Sequence, residues 1–228
     1  MRTVGVVFIQ GAGLKSEIWE QVAAGINAPF LLIDYPQNRR KLTLQDYASH
    51  IKRRLEAWEV EKFIIVAHSL GGVVALKVAG DMPERLAGFA AVGAAIPKQG
   101  GSFLSVLPFA QRMLTGVLMR IFGTKPPESA ILKGLCSDVT PEQAAEVAGS
   151  FVAESIRVYT DRSEATAPNV PKLYVKLAND REMSSSLQDQ MISNLAPQHV
   201  EALETGHLPM LSRPDELALA LNKFLSQC

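Results

Sequence analysis

The sequence has little cysteine, no excess of charge of either sign and no long uninterrupted apolar run. Only two cysteines, Cys136 and Cys228, occur among 228 residues. Two thiols so placed make no disulfide framework, and they predict a reducing, cytoplasmic setting. A chain of this length buries about 70% of the surface that its unfolded state exposes, so folding does not depend on disulfides or a metal.

The charges balance, with 23 Lys and Arg against 23 Asp and Glu. Without a basic block the chain lacks the electrostatic footprint of a nucleic-acid-binding protein, and we expect no nucleic acid as partner. The stretch from Phe103 to Phe122 is apolar but is interrupted by a proline and two arginines, which argues against a membrane span. No His, Cys and carboxylate cluster has metal-ligand spacing, so neither a metal nor an organic cofactor is predicted.

Six short runs of β-branched and aromatic residues alternate with segments of helical periodicity. The runs are Val4–Ile9, Phe30–Ile33, Phe63–Ala67, Leu86–Gly93, Leu173–Leu177 and Val200–Leu203. This alternation is typical of βαβ units. It predicts a single α/β domain over residues 1–228, with a mostly parallel sheet of about six strands flanked by helices. Thr43, with Asp46 three residues later, is a candidate N-cap for one of these helices.

One connection is far longer than the rest. More than seventy residues separate Ile96 from Val170, whereas loops in α/β units usually take about 2 to 6 residues. The insertion contains helix signals of its own, and it predicts a helical cap over about residues 97–168 at the carboxyl edge of the sheet. Its apolar side chains suggest a partly covered substrate pocket. The pocket residues predicted in this segment are Phe103, Leu107, Phe109 and Met113.

A serine stands directly after the third run and before a helical segment. The surrounding residues read Ala67-His68-Ser69-Leu70-Gly71-Gly72. A nucleophile elbow has this form, because its tight turn requires small residues two positions before and two after the serine, as Ala67 and Gly71 are. Gly72 would let the helix approach the sheet. The alternative is an ordinary βα turn with a capping serine.

A serine hydroxyl is a weak nucleophile and requires a general base. Of the four histidines, His207 lies on a loop directly after the last predicted strand, where open parallel sheets bind ligands. We predict His207 as the base. His68 adjoins the serine, but the pleat of the strand is expected to direct its side chain away. His50 lies among charged residues on a helix, and His199 opens the last strand.

The base requires an acid that orients it. Asp180 follows the fifth run in the same way that His207 follows the sixth, and Glu182 is its nearest rival. An Asn-Asp pair after a strand is also common turn chemistry. We predict Asp180 as this acid, and the order Ser69, Asp180, His207 agrees with one of the three unrelated chain orders in which such a triad occurs.

A glycine-containing loop follows the first strand and reads Gln10-Gly11-Ala12-Gly13. Its glycines allow backbone N–H groups to converge on a developing oxyanion, and we assign the two donors to the N–H groups of Ala12 and Leu70. A phosphate-binding loop would require further glycines, one of them directly before its Lys-Ser or Lys-Thr pair, whereas Leu14 precedes Lys15-Ser16 here.

These segments, together with Gly206-His207-Leu208-Pro209-Met210, resemble the α/β-hydrolase superfamily over nearly the whole chain. Within this superfamily the sequence resembles most the compact esterases of the methylesterase and hydroxynitrile-lyase branch. The resemblance implies a serine hydrolase that cleaves small to medium uncharged carboxylic esters through an acyl-serine intermediate, with a small-molecule ester as partner and no cofactor. Three departures are Gln10 where many members have histidine, Ala67 in place of the usual glycine, and a beginning at the first strand without the common antiparallel hairpin.

Lyase members of that branch place a lysine directly after the histidine and a hydroxyl residue in the oxyanion loop. Here these positions hold Leu208 and Gly11, which we expect to line the substrate pocket. Dehalogenase or epoxide hydrolase chemistry would require an aspartate where Ser69 stands. The competing hypothesis is a ligand-binding or receptor protein on the same fold, with slow turnover or none.

Overall fold

The computed structural model describes residues 4–228 and contains one six-stranded sheet. All neighbouring strands pair in parallel, in the order β2-β1-β3-β4-β5-β6. The strands are β1 Val4–Ile9, β2 Phe30–Leu32, β3 Lys62–His68, β4 Leu86–Val92, β5 Lys172–Leu177 and β6 His199–Leu203. The predicted α/β class and six-stranded parallel sheet are confirmed. The first three residues of the predicted domain lie outside the described range.

Ten α-helices occur within residues 4–228. They are α1 Glu20–Ala24, α2 Leu44–Glu56, α3 Gly71–Asp81, α4 Phe109–Phe122, α5 Glu128–Lys133, α6 Pro141–Ser150, α7 Ile156–Thr160, α8 Ser185–Leu195, α9 Pro209–Ser212 and α10 Pro214–Leu225. Helix α2 begins at the predicted cap, since the Thr43 hydroxyl accepts the Asp46 N–H at 3.0 Å and the Asp46 carboxylate accepts the Thr43 N–H at 2.8 Å.

The sheet is buried on both faces, as parallel sheets usually are. Successive strand residues alternate between two cores. Val7 and Ile9 of β1 pack with α2, α3 and α8, whereas Val6 and Phe8 pack with α1 and α10. Because both faces of the sheet are covered by helices, the strands have continuous apolar sequences instead of alternating apolar and polar residues.

The segment between β4 and β5 contains a 3-10 turn at Phe103–Val106 and the helices α4 to α7. Helix α4 has no buried residue, and one broad side of it is apolar and open to solvent. This outer face of α4 consists of Phe109, Met113, Leu114, Val117, Leu118, Ile121 and Phe122. Within residues 4–228, no helix combines the length and the apolar composition needed to cross a membrane.

Candidate active site

Ser69 occupies a sterically demanding turn between β3 and α3. Its φ is +51°, a left-handed conformation that costs a non-glycine residue about 1–3 kcal/mol. A Cβ atom on Gly71 would lie 2.5 Å from the carbonyl oxygen of Gln10, and a Cβ on Gly72 would lie 2.5 Å from that of Ala95. Both positions therefore require glycine. The turn is held in place because the Ser69 carbonyl accepts the N–H groups of Ala95, at 2.9 Å, and of Gly72, at 3.0 Å.

Three side chains from the carboxyl ends of β3, β5 and β6 form one continuous hydrogen-bonded chain. Ser69 Oγ lies 3.0 Å from His207 Nε2, and His207 Nδ1 lies 2.8 Å from Asp180 Oδ2. The His207 side chain is 3% exposed and that of Asp180 is fully buried. The structure thus brings together the three residues that the sequence singled out for nucleophile, base and acid.

The Asp180 carboxylate is stabilised in its charged form. Burial by itself would raise the pKa of Asp180, but the hydrogen bond with His207 and the N–H groups of Met183 and Glu182 outweigh it and hold the pKa below the usual value. Those two N–H groups bind Oδ1 at 3.0 and 2.8 Å. One carboxylate oxygen is therefore fixed by the backbone and the other faces His207.

Glu182, the rival acid, does not contact His207 Nδ1. It lines the cavity beside Ser69, and its carboxyl group lies against Gly134 of the segment between β4 and β5. Desolvation there raises the pKa of Glu182, the Asp180 charge raises it further, and His207 opposes both. Asp180, and not Glu182, therefore makes the hydrogen bond that orients the His207 ring, and Glu182 lines the cavity.

His68 does not lie where the pleat of β3 led us to expect. Its ring is fully buried, with its centroid 4.7 Å from that of His207. His68 Nε2 lies 2.8 Å from the His207 carbonyl oxygen, and because a carbonyl only accepts, Nε2 carries the proton. Burial, with His207 nearby, lowers the pKa of His68 to about 3. His68 is consequently a neutral donor that fixes the backbone of the His207 loop.

The loop after β1 runs directly against Ser69. A Cβ on Gly11 would lie 2.9 Å from Nδ1 of the buried His68 ring and 3.0 Å from Ser69 Cβ, so a larger residue at this position would push the loop or its neighbours apart. In residues 4–228 the N–H groups of Ala12 and Leu70 find no protein acceptor, and both residues line the cavity. Gln10, the departure from the family pattern, is buried and its amide donates to the Ile33 carbonyl at 3.2 Å, which ties the loop to the end of β2.

Glu154 anchors the same loop and was not anticipated from the sequence. Its side chain is fully buried and accepts the Gly13 N–H at 3.0 Å, the Tyr47 hydroxyl at 2.7 Å and Arg39 Nη1 at 2.6 Å. Burial raises the pKa of Glu154, although Arg39 and the hydrogen bonds oppose that effect. These partners lie more than 100 residues away along the chain, so no local motif could have indicated them.

A second carboxylate from the inserted segment anchors the His207 loop. Asp138 Oδ2 accepts the Gly206 N–H at 2.5 Å and the Thr205 hydroxyl at 2.8 Å. The segment between β4 and β5 is thus hydrogen-bonded to both loops that flank Ser69.

A cavity of about 220 Å³ opens beside Ser69, between the sheet edge and the inserted segment. Gly11, Phe103 and Leu107, three of the predicted pocket residues, line it. Most of its other lining from the inserted segment is also apolar, including Val106, Met119, Leu135 and Phe151. No lysine or arginine within the described range reaches the cavity wall.

The other three predicted pocket residues lie elsewhere. Phe109 is 78% and Met113 is 53% exposed on the outer face of α4, because this helix turns those side chains away from the cavity. Leu208 is fully buried and packs in the core between the sheet and α10. The expectation for these three residues was wrong. Apolar character alone did not distinguish the cavity wall from the solvent side or from the core.

Residues 6–221 match the model of the alpha/beta hydrolase family. The chain is 24% identical to pyrrolizixenacetamide deacetylase of Xenorhabdus hominickii, over 97% of this chain and 90% of that protein. It is 25% identical to Methylesterase 7 of Arabidopsis thaliana, over 93% and 86% of the two chains. An extracellular alpha/beta-hydrolase from a Paenibacillus species, reported to share structural and functional homology with tobacco salicylic acid binding protein 2, has the same fold. It superimposes with a TM-score of 0.88 at 16% identity, over 96% of this chain and 98% of that one. Since the family model spans nearly the whole sequence, the chain belongs to the alpha/beta hydrolase family.

Proposed function

We propose that the protein is a serine hydrolase that cleaves small to medium uncharged carboxylic esters. The observation that carries this proposal is the hydrogen-bonded chain from Ser69 through His207 to Asp180, which ends at a cavity. Similarity to a methylesterase and to a deacetylase supports cleavage of an acyl bond. Among residues 4–228 no three His, Cys, Asp or Glu side chains are grouped to hold a metal ion, and the proposed reaction uses the protein's own side chains and N–H groups together with water.

In the proposed reaction, His207 Nε2 accepts the proton of Ser69 as Oγ attacks the ester carbonyl. Asp180 accepts the Nδ1–H, keeps the imidazole in the useful tautomer and stabilises the imidazolium. His207 then donates its proton to the departing alcohol, which leaves an acyl-Ser69. A water molecule, deprotonated by the same nitrogen, attacks that acyl group and releases the acid and the free serine.

The negative charge on the carbonyl oxygen requires donors that are already in place. The N–H groups of Ala12 and Leu70, two residues that line the cavity beside Ser69, have no acceptor among residues 4–228 and are suited to this role. Losing one such donor typically costs about 10²–10³ in kcat.

The cavity supports the proposed substrate class. Its lining is mainly apolar, and among residues 4–228 it contains one carboxylate, Glu182, whose pKa is raised, and no lysine or arginine. An anionic or phosphorylated ester would meet no cation in this cavity, whereas an uncharged acyl chain would bury apolar surface. We further propose that residues 97–168 act as a cap over this site. The two unpaired cysteines support the proposed reducing, cytoplasmic setting.

A non-catalytic receptor on the same fold is the competing hypothesis. The strained backbone of Ser69 favours the enzyme, because a ligand receptor gains nothing from a hydroxyl held beside the cavity at a cost of about 1–3 kcal/mol.

Labelling with a serine-directed fluorophosphonate tests the proposal. Only an activated serine reacts rapidly with such a probe, so one adduct is expected by intact mass, on the peptide that contains His68-Ser69-Leu70. Turnover of a generic p-nitrophenyl ester is measured in parallel. A folded protein that neither labels nor turns over the ester would support the receptor hypothesis, and an adduct on another serine would refute the role of Ser69.

A series of p-nitrophenyl esters of increasing acyl length tests the pocket. We expect kcat/KM to rise about fourfold for each methylene that becomes buried, until the cavity is full, and then to fall. Leu107→Trp, which narrows the cavity, should move the optimum to shorter chains. Phe109→Ala, on the outer face of α4, should leave the series unchanged. A flat series for the wild type would mean that no acyl pocket exists.

A further inference from the structure

The outer face of α4 is the largest concentration of exposed apolar side chains in the described chain. Seven of the twelve large apolar residues exposed within residues 4–228 belong to this helix. Exposed apolar residues scattered singly need no explanation, but a contiguous patch on one element marks an interaction surface.

This patch is distinct from the cavity wall. Gln111, Thr115 and Met119, spaced four residues apart on α4, line the cavity, and residues at this spacing share one side of a helix. None of the seven residues of the outer face lines the cavity. The most exposed members of this face are Phe109, Ile121 and Phe122, between 66% and 78% accessible. Helix α4 therefore has one side toward the candidate active site and an apolar side toward solvent.

The chain segment that contains α4 carries charged residues of one sign only. Residues 97–127 contain four basic residues, Lys98, Arg112, Arg120 and Lys125, and no acidic residue. All four are exposed. Ion pairs form elsewhere in the described residues, but none of these four cations takes part in one. A chain with zero net charge thus presents a locally cationic and apolar surface.

We propose that the outer face of α4 binds the surface of an anionic lipid bilayer. A helix that combines exposed Phe, Leu and Ile side chains with arginines is suited to lie in the interface, where apolar groups enter the acyl boundary and cations meet headgroups. A second copy of the chain packed on this face would cover the apolar residues but would bring Arg112 and Arg120 of one α4 close to the same arginines of the other. The bilayer satisfies both features and places the cavity next to a source of apolar esters.

Vesicle co-sedimentation tests this proposal and needs no turnover, so it is independent of the proposed hydrolase activity. Wild-type protein should bind phosphatidylcholine vesicles that contain about 30% phosphatidylserine, and bind pure phosphatidylcholine more weakly. Each cation near an anionic surface contributes about fivefold to binding, so Arg112→Gln/Arg120→Gln should bind the mixed vesicles about 30-fold more weakly. Ile121→Ser/Phe122→Ser should lose at least about tenfold on both compositions.

Leu219→Ser is the matched control, because Leu219 is 73% exposed on α10, and it should bind like the wild type. Turnover of a water-soluble ester should be unchanged in all these variants, since none of the altered residues lines the cavity. The proposal is overturned if wild-type protein stays in the supernatant or if the α4 variants bind undiminished. It is also overturned if Ile121→Ser/Phe122→Ser abolishes a dimer of a protein that ignores vesicles, which would assign the face to self-association.

A different observation carries a second inference, which rests on the proposed function. The fully buried Glu154 binds the Gly13 N–H, next to Ala12, the proposed oxyanion donor. The residues just before Glu154 also contact Gly13. The Val152 N–H donates to the Gly13 carbonyl at 2.9 Å, and the Phe151 ring occupies the space where a Cβ on Gly13 would lie. We infer that Glu154 is a positioning residue that orients the oxyanion loop.

Glu154→Ala leaves the Gly13 N–H without an acceptor and should lower kcat about 100-fold with little change in KM, the signature of a displaced oxyanion donor. Glu154→Gln keeps an acceptor oxygen and should restore kcat to within about threefold of wild type. Tyr47→Phe removes another hydrogen bond to the same carboxylate and should also stay within about threefold.

The result is interpretable only when the wild type first labels with fluorophosphonate, which separates failure of this inference from failure of the proposed function. Thermal unfolding of each variant shows that it is folded at the assay temperature. Equal losses of kcat in Tyr47→Phe and Glu154→Ala, or no rescue by Glu154→Gln, would reduce Glu154 to a general stabilising residue and overturn the inference.

Discussion

Ser69→Ala is expected to lower kcat on a p-nitrophenyl ester by a factor on the order of 10⁶ while the protein remains folded. Alanine retains the Cβ of serine, so the backbone contacts of the turn with Ala95 and Gly72 are unaffected. Only the hydroxyl 3.0 Å from His207 Nε2 is lost. Turnover and fluorophosphonate labelling should therefore both disappear without a change in the far-ultraviolet circular dichroism spectrum.

His207→Ala should cost nearly as much as Ser69→Ala, because a nucleophile and its base act as one unit. The double variant should then be no slower than either single variant. Ser186→Ala, which alters an exposed hydroxyl on α8 outside the cavity, is the matched control and should retain activity within about twofold. Additive losses in the double variant would show that the two side chains do not act together.

Asp180→Asn is expected to lower kcat by about 10⁴ with the fold intact. The cause lies in how the carboxylate is held. Oδ1 accepts the backbone N–H groups of Glu182 and Met183, and the oxygen of an asparagine would take that position. Its NH₂ group would then face His207 Nδ1 as a donor. The imidazole would be forced to carry its proton on Nε2, the atom that must accept from Ser69.

Glu182→Gln is the matched carboxylate-to-amide control and should change kcat by less than about threefold, since Glu182 has no hydrogen bond to the imidazole. Rates for both variants are compared at saturating ester. A comparable loss in both variants, or a loss only in Glu182→Gln, would transfer the orienting role.

The sequence predicted those parts of the site that local sterics and chain order determine. The turn at Ser69 demands glycine at positions 71 and 72 because two carbonyl oxygens lie where a Cβ would be, and such a demand is visible in the residues themselves. Asp180 and His207 could be found because carboxyl ends of parallel strands share one edge. The six strands could be predicted because strands of a sheet that is buried on both faces have continuous apolar sequences.

The errors arose where tertiary contacts, not local pattern, decide the outcome. The apolar character of Phe109 and Met113 in the inserted segment predicts a place in a covered hydrophobic pocket, yet α4 turns both side chains to solvent. The pleat of β3 predicts that the His68 side chain points away from the site. In the structure the loop after β6 folds back, and the His207 carbonyl accepts a hydrogen bond from His68 Nε2. The role of Glu154 could not be predicted from the sequence, because its hydrogen-bond partners lie more than 100 residues away along the chain.

The positions of the two anchoring carboxylates divide the inserted segment into a half that holds the loops and a half that can be exchanged without loss of those hydrogen bonds. Asp138 and Glu154 both belong to its second half and bind the loops that carry His207 and Gly13. The first half, through α4, supplies Phe103, Leu107 and Met119 to the cavity wall. A chimera that exchanges residues 103–122 with those of a relative would therefore alter substrate choice and leave the loop anchors in place. Exchange of the whole segment would have to preserve both carboxylates, so substrate choice can change without loss of either anchor through the α4 residues that line the cavity, Gln111, Thr115 and Met119.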